Sequence, residues 1–168
     1  MTLEGLLNNA KSLQSGMQSG TLVRDVLMRH GDHIVEHQRI QLLMGKGSDG
    51  KDLHPFYSED VKPNGYFKSG AQARKYAAWK QTLSYPYSVE RNPDAPNLYI
   101  TGMFHDDLNV EFYPDSVAIV PDTAYAAKIM RKYGFGIFGL NQQMWGIIWN
   151  EWGAKDDLIN EMKKVLWQ

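Results

Sequence analysis

From Thr21 to Met44 the apolar residues Leu22, Val23, Val26, Leu27, Ile34, Ile40, Leu43 and Met44 recur at the helical period, and the pattern stops at Gly45. Threonine at the start and glycine at the end are the residue types that cap helices, so the spacing predicts a helix over 22–44. A helix with an apolar stripe this long must bury it, and the rest of the chain has to provide the cover. At 168 residues the chain is long enough for one domain with its own core and short for two.

The flanking segments supply that cover unevenly. Residues 1–20 set Gly5, Gly16 and Gly20 among Ser, Asn and Gln residues around a weak Leu pattern, which predicts a flexible N-terminal arm, helical only once docked. Gly45, Gly47 and Gly50 open an irregular loop through about residue 60. Ser69 is placed to cap a short helix containing Tyr76, Ala77, Trp79 and Lys80, and Pro86, Pro93 and Pro96 keep the chain beyond that helix as loop. Leu108–Tyr113 and Val117–Val120 alternate as strands, with Pro114-Asp115-Ser116 between them as a hairpin turn. Asp122 or Thr123 can cap a helix closed by Gly134. Asn141 opens another carrying Trp145, Ile148, Trp149 and Trp152 on one face; Gly153 interrupts it and Asp156–Leu166 resumes. The expected fold class is α+β: helices packed with a short antiparallel β-hairpin, extended loops and the N-terminal arm. Residues 21–142 form the core domain and 143–168 an aromatic helical extension of it.

Cysteine is absent, which excludes disulfides, thiolate catalysis and cysteine-ligated zinc. No stretch approaches the roughly 18 apolar residues of a membrane span, and the first residues lack the basic-then-apolar order of a secretory signal, so a soluble protein without membrane partners is expected. The net charge of −1 conceals two blocks. Lys62, Lys68, Arg74, Lys75, Lys80 and Arg91 face Glu90 alone over residues 62–91, and Asp94, Asp106, Asp107, Glu111, Asp115 and Asp122 have no cation among them over 92–127. Such blocks pair within a subunit or with a neighbour's opposite block, and sequence leaves both open.

Candidate chemistry is thin. His30, His33 and His37 lie on one side of the first helix, but three residues spread over two turns cannot all reach one metal ion, and no HExxH order is present. Without those ligands a small metal-dependent hydrolase is only the alternative reading, and neither a metal nor another cofactor is expected. Gly134-Phe-Gly-Ile-Phe-Gly139 has the letters of a dinucleotide fingerprint without the preceding strand, and Gly45-Lys46-Gly47-Ser48 lacks the spacer of a phosphate loop. Ser58 and Ser84 have no elbow motif, His54 and His105 no partner order, and the adjacent pairs Asp106-Asp107 and Asp156-Asp157 diverge in regular structure. No catalytic residue is assigned. The basic segment interleaved with aromatics, Tyr66, Phe67, Lys68, Arg74, Lys75, Tyr76, Trp79 and Lys80, could follow a nucleic-acid backbone, but a pI near 6.5 and the acidic block beside it disfavour a dedicated binder. Tryptophan and methionine are favoured at interface centres. Trp145, Trp149 and Trp167, with Tyr66, Phe67, Lys68, Arg74 and Lys75, are therefore the expected interface residues, while Ile148 and Trp152 are expected to point inward. Gly45, Gly50, Gly102 and Gly139 are expected at structural turns.

In chain order stand Gln41-Leu42-Leu43 with Gly45, Asp49-Gly50-Lys51-Asp52-Leu53, Tyr57-Ser58, a Lys-rich helix, Asn97-Leu98-Tyr99-Ile100-Thr101-Gly102-Met103-Phe104, Lys132-Tyr133-Gly134 and Ile137-Phe138-Gly139-Leu140-Asn141. This order, over about residues 38–142, resembles small neck and tail structural proteins of tailed bacteriophages, most of all the portal-proximal ring proteins of crAss-like phages. The resemblance implies a non-enzymatic virion component, a head-to-tail connector or neck subunit forming a homo-oligomeric ring by heterologous contacts and extending the DNA channel below the portal. Its implied partners are the portal protein and adjacent neck or tail proteins, and a non-specific lining role beside packaged DNA stays open. The implied location is the virion, and the host cytoplasm during assembly. A tail-tube or tail-completion subunit is the alternative of the same kind. The arm and the aromatic C-terminal segment lie outside the matching region.

Overall fold

A computed structural model describes residues 2–113, 115–124 and 126–167 of the chain. The elements in order are α1 (Leu3–Gln18), α2 (Thr21–Arg29), α3 (Gly31–Leu43), α4 (Gly70–Gln81), α5 (Met103–Asp106), β1 (Leu108–Phe112), β2 (Val117–Pro121), α6 (Ala126–Tyr133), a 3-10 turn (Phe135–Ile137), α7 (Gln142–Asn150) and α8 (Ala154–Trp167). The fold is α+β. β1 and β2 pair antiparallel from Leu108 opposite Pro121 to Phe112 opposite Val117. Pro114, in the expected turn, lies outside the described residues.

One expectation is corrected. The helix predicted over 22–44 is two helices, because His30 (φ −105°, ψ 16°) leaves helical geometry. The break lets α2 pack on α8 while α3 crosses β1. Gly31 makes that crossing close: a Cβ there would lie 3.3 Å from Val110 Cγ1. Apolar periodicity continues on both sides of the break and therefore hides it. The N-terminal arm, for which helicity on docking was expected, contains α1, capped by Thr2 and laid along α8. None of its residues is buried, which is why its own apolar pattern is weak.

Val26, Ile34, Leu42, Leu108, Ile137 and Ile148, each at most 1% exposed, centre the main core. Each such side chain contributes about 1.5–3 kcal/mol relative to exposure. A smaller cluster of Tyr57, Phe67 and Ala73 lies under α4.

Buried amides of α3 join it to the segment that leads into α7. Gln38 Nε2 donates to Ile137 O (3.0 Å), and Gln41 Nε2 donates to Gly139 O (2.9 Å). Gln41 Oε1 accepts from the Asn141 backbone N–H (2.8 Å), and Asn141 Oδ1 caps α7 by accepting from Met144 N (3.0 Å). Ser48 N also donates to Gly136 O (2.8 Å). Short motifs some hundred positions apart in the chain are thereby one structural unit. Gly139 takes φ +97° where it receives Gln41, backbone geometry closed to most side chains.

Candidate functional site

α4 begins where Ser69 Oγ accepts from Gln72 N (3.3 Å) while Gln72 Oε1 accepts from Lys68 N (2.7 Å), a reciprocal cap. Its inner face sets Ala73 and Tyr76 on Tyr57 and Phe67. Its outer face shows Ala71, Arg74, Lys75, Ala78 and Trp79 to solvent, with Lys68 and Tyr66 exposed just before it. Besides the half-buried Tyr76, two members of the predicted basic and aromatic surface are fully buried. Phe67 is 3% exposed inside the smaller cluster, and Lys80 is 1% exposed. Lys80 points inward because it sits one turn after Tyr76 on the buried side, where Nζ donates to Tyr99 O.

Lys80 also lines a cavity of about 480 Å³ bounded by α4, α6 and residues 96–104. Tyr57, Tyr76, Tyr133, Leu98 and Ile129 form much of the wall. Leu98 holds φ 53°, a strained conformation for a branched side chain. Burial lowers the Lys80 amine to about 7, with Arg91 adding to the effect. Burial raises the hydroxyls of Tyr57, Tyr76 and Tyr133, so they stay protonated. Among the described residues no carboxylate lines this cavity. The chamber is mostly apolar, with protonated hydroxyls and one amine in its wall.

The histidines take separate partners. His30 Nε2 meets Asp157 Oδ2 (3.0 Å), and its Nδ1 lies 3.4 Å from His33 Nδ1. His37 Nδ1 bonds to the His33 carbonyl (2.8 Å), and Trp152 covers His33 with ring centroids 3.9 Å apart. Among the described residues no group of three or more metal-ligating side chains converges. His54 pairs with Glu59 (3.0 Å). His105 is buried on Asn97 O (3.0 Å), and desolvation lowers it to about 4. The glycine-rich segment 134–139 follows α6 rather than a strand.

The C-terminal aromatics divide differently from expectation. Trp145 and Trp149 are half-buried against the main core, so much of each ring is already covered within the subunit. Ile148 is inward, as expected, but Trp152 is 44% exposed because the chain has left α7 before reaching it. Trp167 is 68% exposed and Phe135, expected in a core or at an interface, is 78% exposed and so outside the core. The four turn glycines have φ of 74° (Gly45), 77° (Gly50), 92° (Gly102) and 97° (Gly139).

Sequence reasoning also missed the buried clamp. Gln38 and Gln41 are 0% exposed, and their only signal was a polar residue interrupting an apolar helical stripe. Arg39 is a further one: Nε donates to His105 O (2.7 Å) and Nη2 to Asp106 O (3.1 Å). Among the described residues no ion pair joins the basic block to the acidic one; Lys46 pairs with Asp52 (2.6 Å), Lys132 with Asp60, and Arg29 with Glu161 (3.0 Å). No helix among the described residues is long and apolar enough to cross a membrane. Comparison with protein-family models, with curated proteins and with solved structures finds no match.

Proposed function

We propose that this chain is a structural subunit of a tailed-bacteriophage particle, a head-to-tail connector or neck component that acts by assembling into a ring next to the portal. The observation that carries the reading is the set of large apolar side chains left in solvent on separate elements: Phe135 (78%), Tyr66 (72%), Trp167 (68%), Met103 (57%) and Ile100 (54%). Isolated exposed apolar residues are ordinary, but several on different faces suit a subunit with more than one neighbour. The motif order behind the bacteriophage resemblance adds support, since its Gln41 and Gly139 elements meet in one buried clamp. The hydrolase reading gains little from His30, His33 and His37: His30 and His33 turn ring nitrogens toward each other, His37 turns to the His33 carbonyl, and among the described residues no group of three metal-ligating side chains converges.

The test is location and mass. Purified particles of the source phage, stained with an antibody to this chain, should be labelled at the head–tail junction. Mass measurement of the chain mixed with portal should give a complex with several copies. Label at the distal tail would replace the neck reading by the tail-completion one, and a chain missing from purified particles would overturn both.

A further inference from the structure

We propose that copies of this chain join head to tail, the tip of the β1–β2 hairpin of one copy docking on the outer face of α4 of the next; this rests on the assembly reading above and specifies its contact. Neither surface is covered within the subunit. On α4, Trp79 is 43% exposed and lies one turn after Lys75, with Arg74, Ala71 and Ala78 also on the exposed side of the helix. On the hairpin, Tyr113 is 45% exposed and is flanked by the exposed Glu111 and Asp115. Among the described residues, none of Arg74, Lys75, Glu111 and Asp115 takes part in an ion pair.

Each patch thus carries one aromatic side chain and two like charges, and the two patches are opposite in sign. Aromatic anchors supply most of the energy of such contacts, and the charges supply orientation and encounter rate. Sign also disfavours contacts between like patches. A two-fold contact of α4 with α4, or of hairpin with hairpin, would oppose like charges, whereas hairpin on α4 attracts. That contact, made head to tail, is heterologous, so an open chain of copies keeps one unused patch at each end until a ring closes.

Because the chain has no cysteine, introduced thiols report this contact alone. The full-length Ser116→Cys chain and the full-length Ala78→Cys chain, both exposed positions, are mixed at low salt with a short bis-maleimide. The mixture should give covalent heterodimers several-fold above either chain alone, and the yield should fall at high salt. Arg74→Glu/Lys75→Glu in the Ala78→Cys chain should abolish the product, and Glu111→Lys/Asp115→Lys in the Ser116→Cys partner should restore it. Absence of heterodimer, or a yield indifferent to charge reversal, overturns the proposal. Light scattering on the unmodified chain, alone and with portal, separates the two ideas. Multimers without this cross-link sink the contact and leave the assembly reading, whereas a monomer under both conditions sinks both.

Discussion

Replacing Gln41 by leucine tests whether the amide clamp holds α7 to α3. Leucine approximates the volume of the 0% exposed side chain but removes both hydrogen bonds, leaving Asn141 N–H without an acceptor and Gly139 C=O without its donor. An orphaned buried polar group costs about 1–3 kcal/mol. Asn141 is buried and takes the upper part of that range; Gly139 is half-buried and can regain water, so it takes the lower. The expected loss is about 3–4 kcal/mol, a large share of the roughly 5–15 kcal/mol that holds an ordinary domain. At about 2–4 °C per kcal/mol for this size, melting should fall by about 6–16 °C. Urea unfolding followed by the fluorescence of Trp145 and Trp149, both packed on the core, gives the midpoint and the slope. The midpoint should drop with the slope unchanged. Gln143→Leu, at an exposed position of α7, should stay within about 0.5 kcal/mol of the parent. A Gln41→Leu chain within about 1 kcal/mol of the parent would refute the clamp and the scale of its cost.

Three further outcomes are expected. Gly45→Ala should lose more stability than Gly153→Ala in thermal melts: both have positive φ, but a Cβ at Gly45 would lie 2.9 Å from Ala95 Cβ, whereas nothing lies within 4 Å at Gly153. Alanine strain alone is about 1–2 kcal/mol, so equal losses would sink the contact argument. For Lys80, burial brings the folded value to about 7 against an ordinary 10.5, so the unfolded chain binds the extra proton between them. Stability should therefore rise with pH across about 7 to 10.5, by up to about 1.4 kcal/mol per unit, and Lys80→Met should flatten that slope. His105, lowered to about 4 from 6.5, has the same sign in another window: the unfolded chain takes the proton first on acidification. Stability should fall from pH 6.5 toward 4, and a His105→Gln chain with an unchanged acid limb would refute it.

Local chemistry was readable wherever the deciding partner lies within a few residues. Ser69 and Asn141 cap the helices expected of them, and Val117 to Val120 pairs with β1 as the alternation predicts. The candidate surface was only half readable. Arg74, Lys75 and Tyr66 are exposed, but Phe67 and Lys80 are not: the rotation of α4 turns Lys80 toward Tyr99, and the pairing of Phe67 with residues 60–62 turns it toward Tyr57. Composition carries no record of that rotation.

The sequence by itself determined the α+β class, the positions of most helices and the hairpin, and the separation of basic from acidic residues, since each follows from short-range periodicity, capping or simple counting. Tertiary structure alone decided the break at His30, the docking of α1 on α8, the burial of Lys80 and the convergence of Gln41 with Gly139 and Asn141. Those features depend on partners tens of residues away in sequence. The free energy of covering an apolar stripe or satisfying a buried amide is fixed only when the partner is in place.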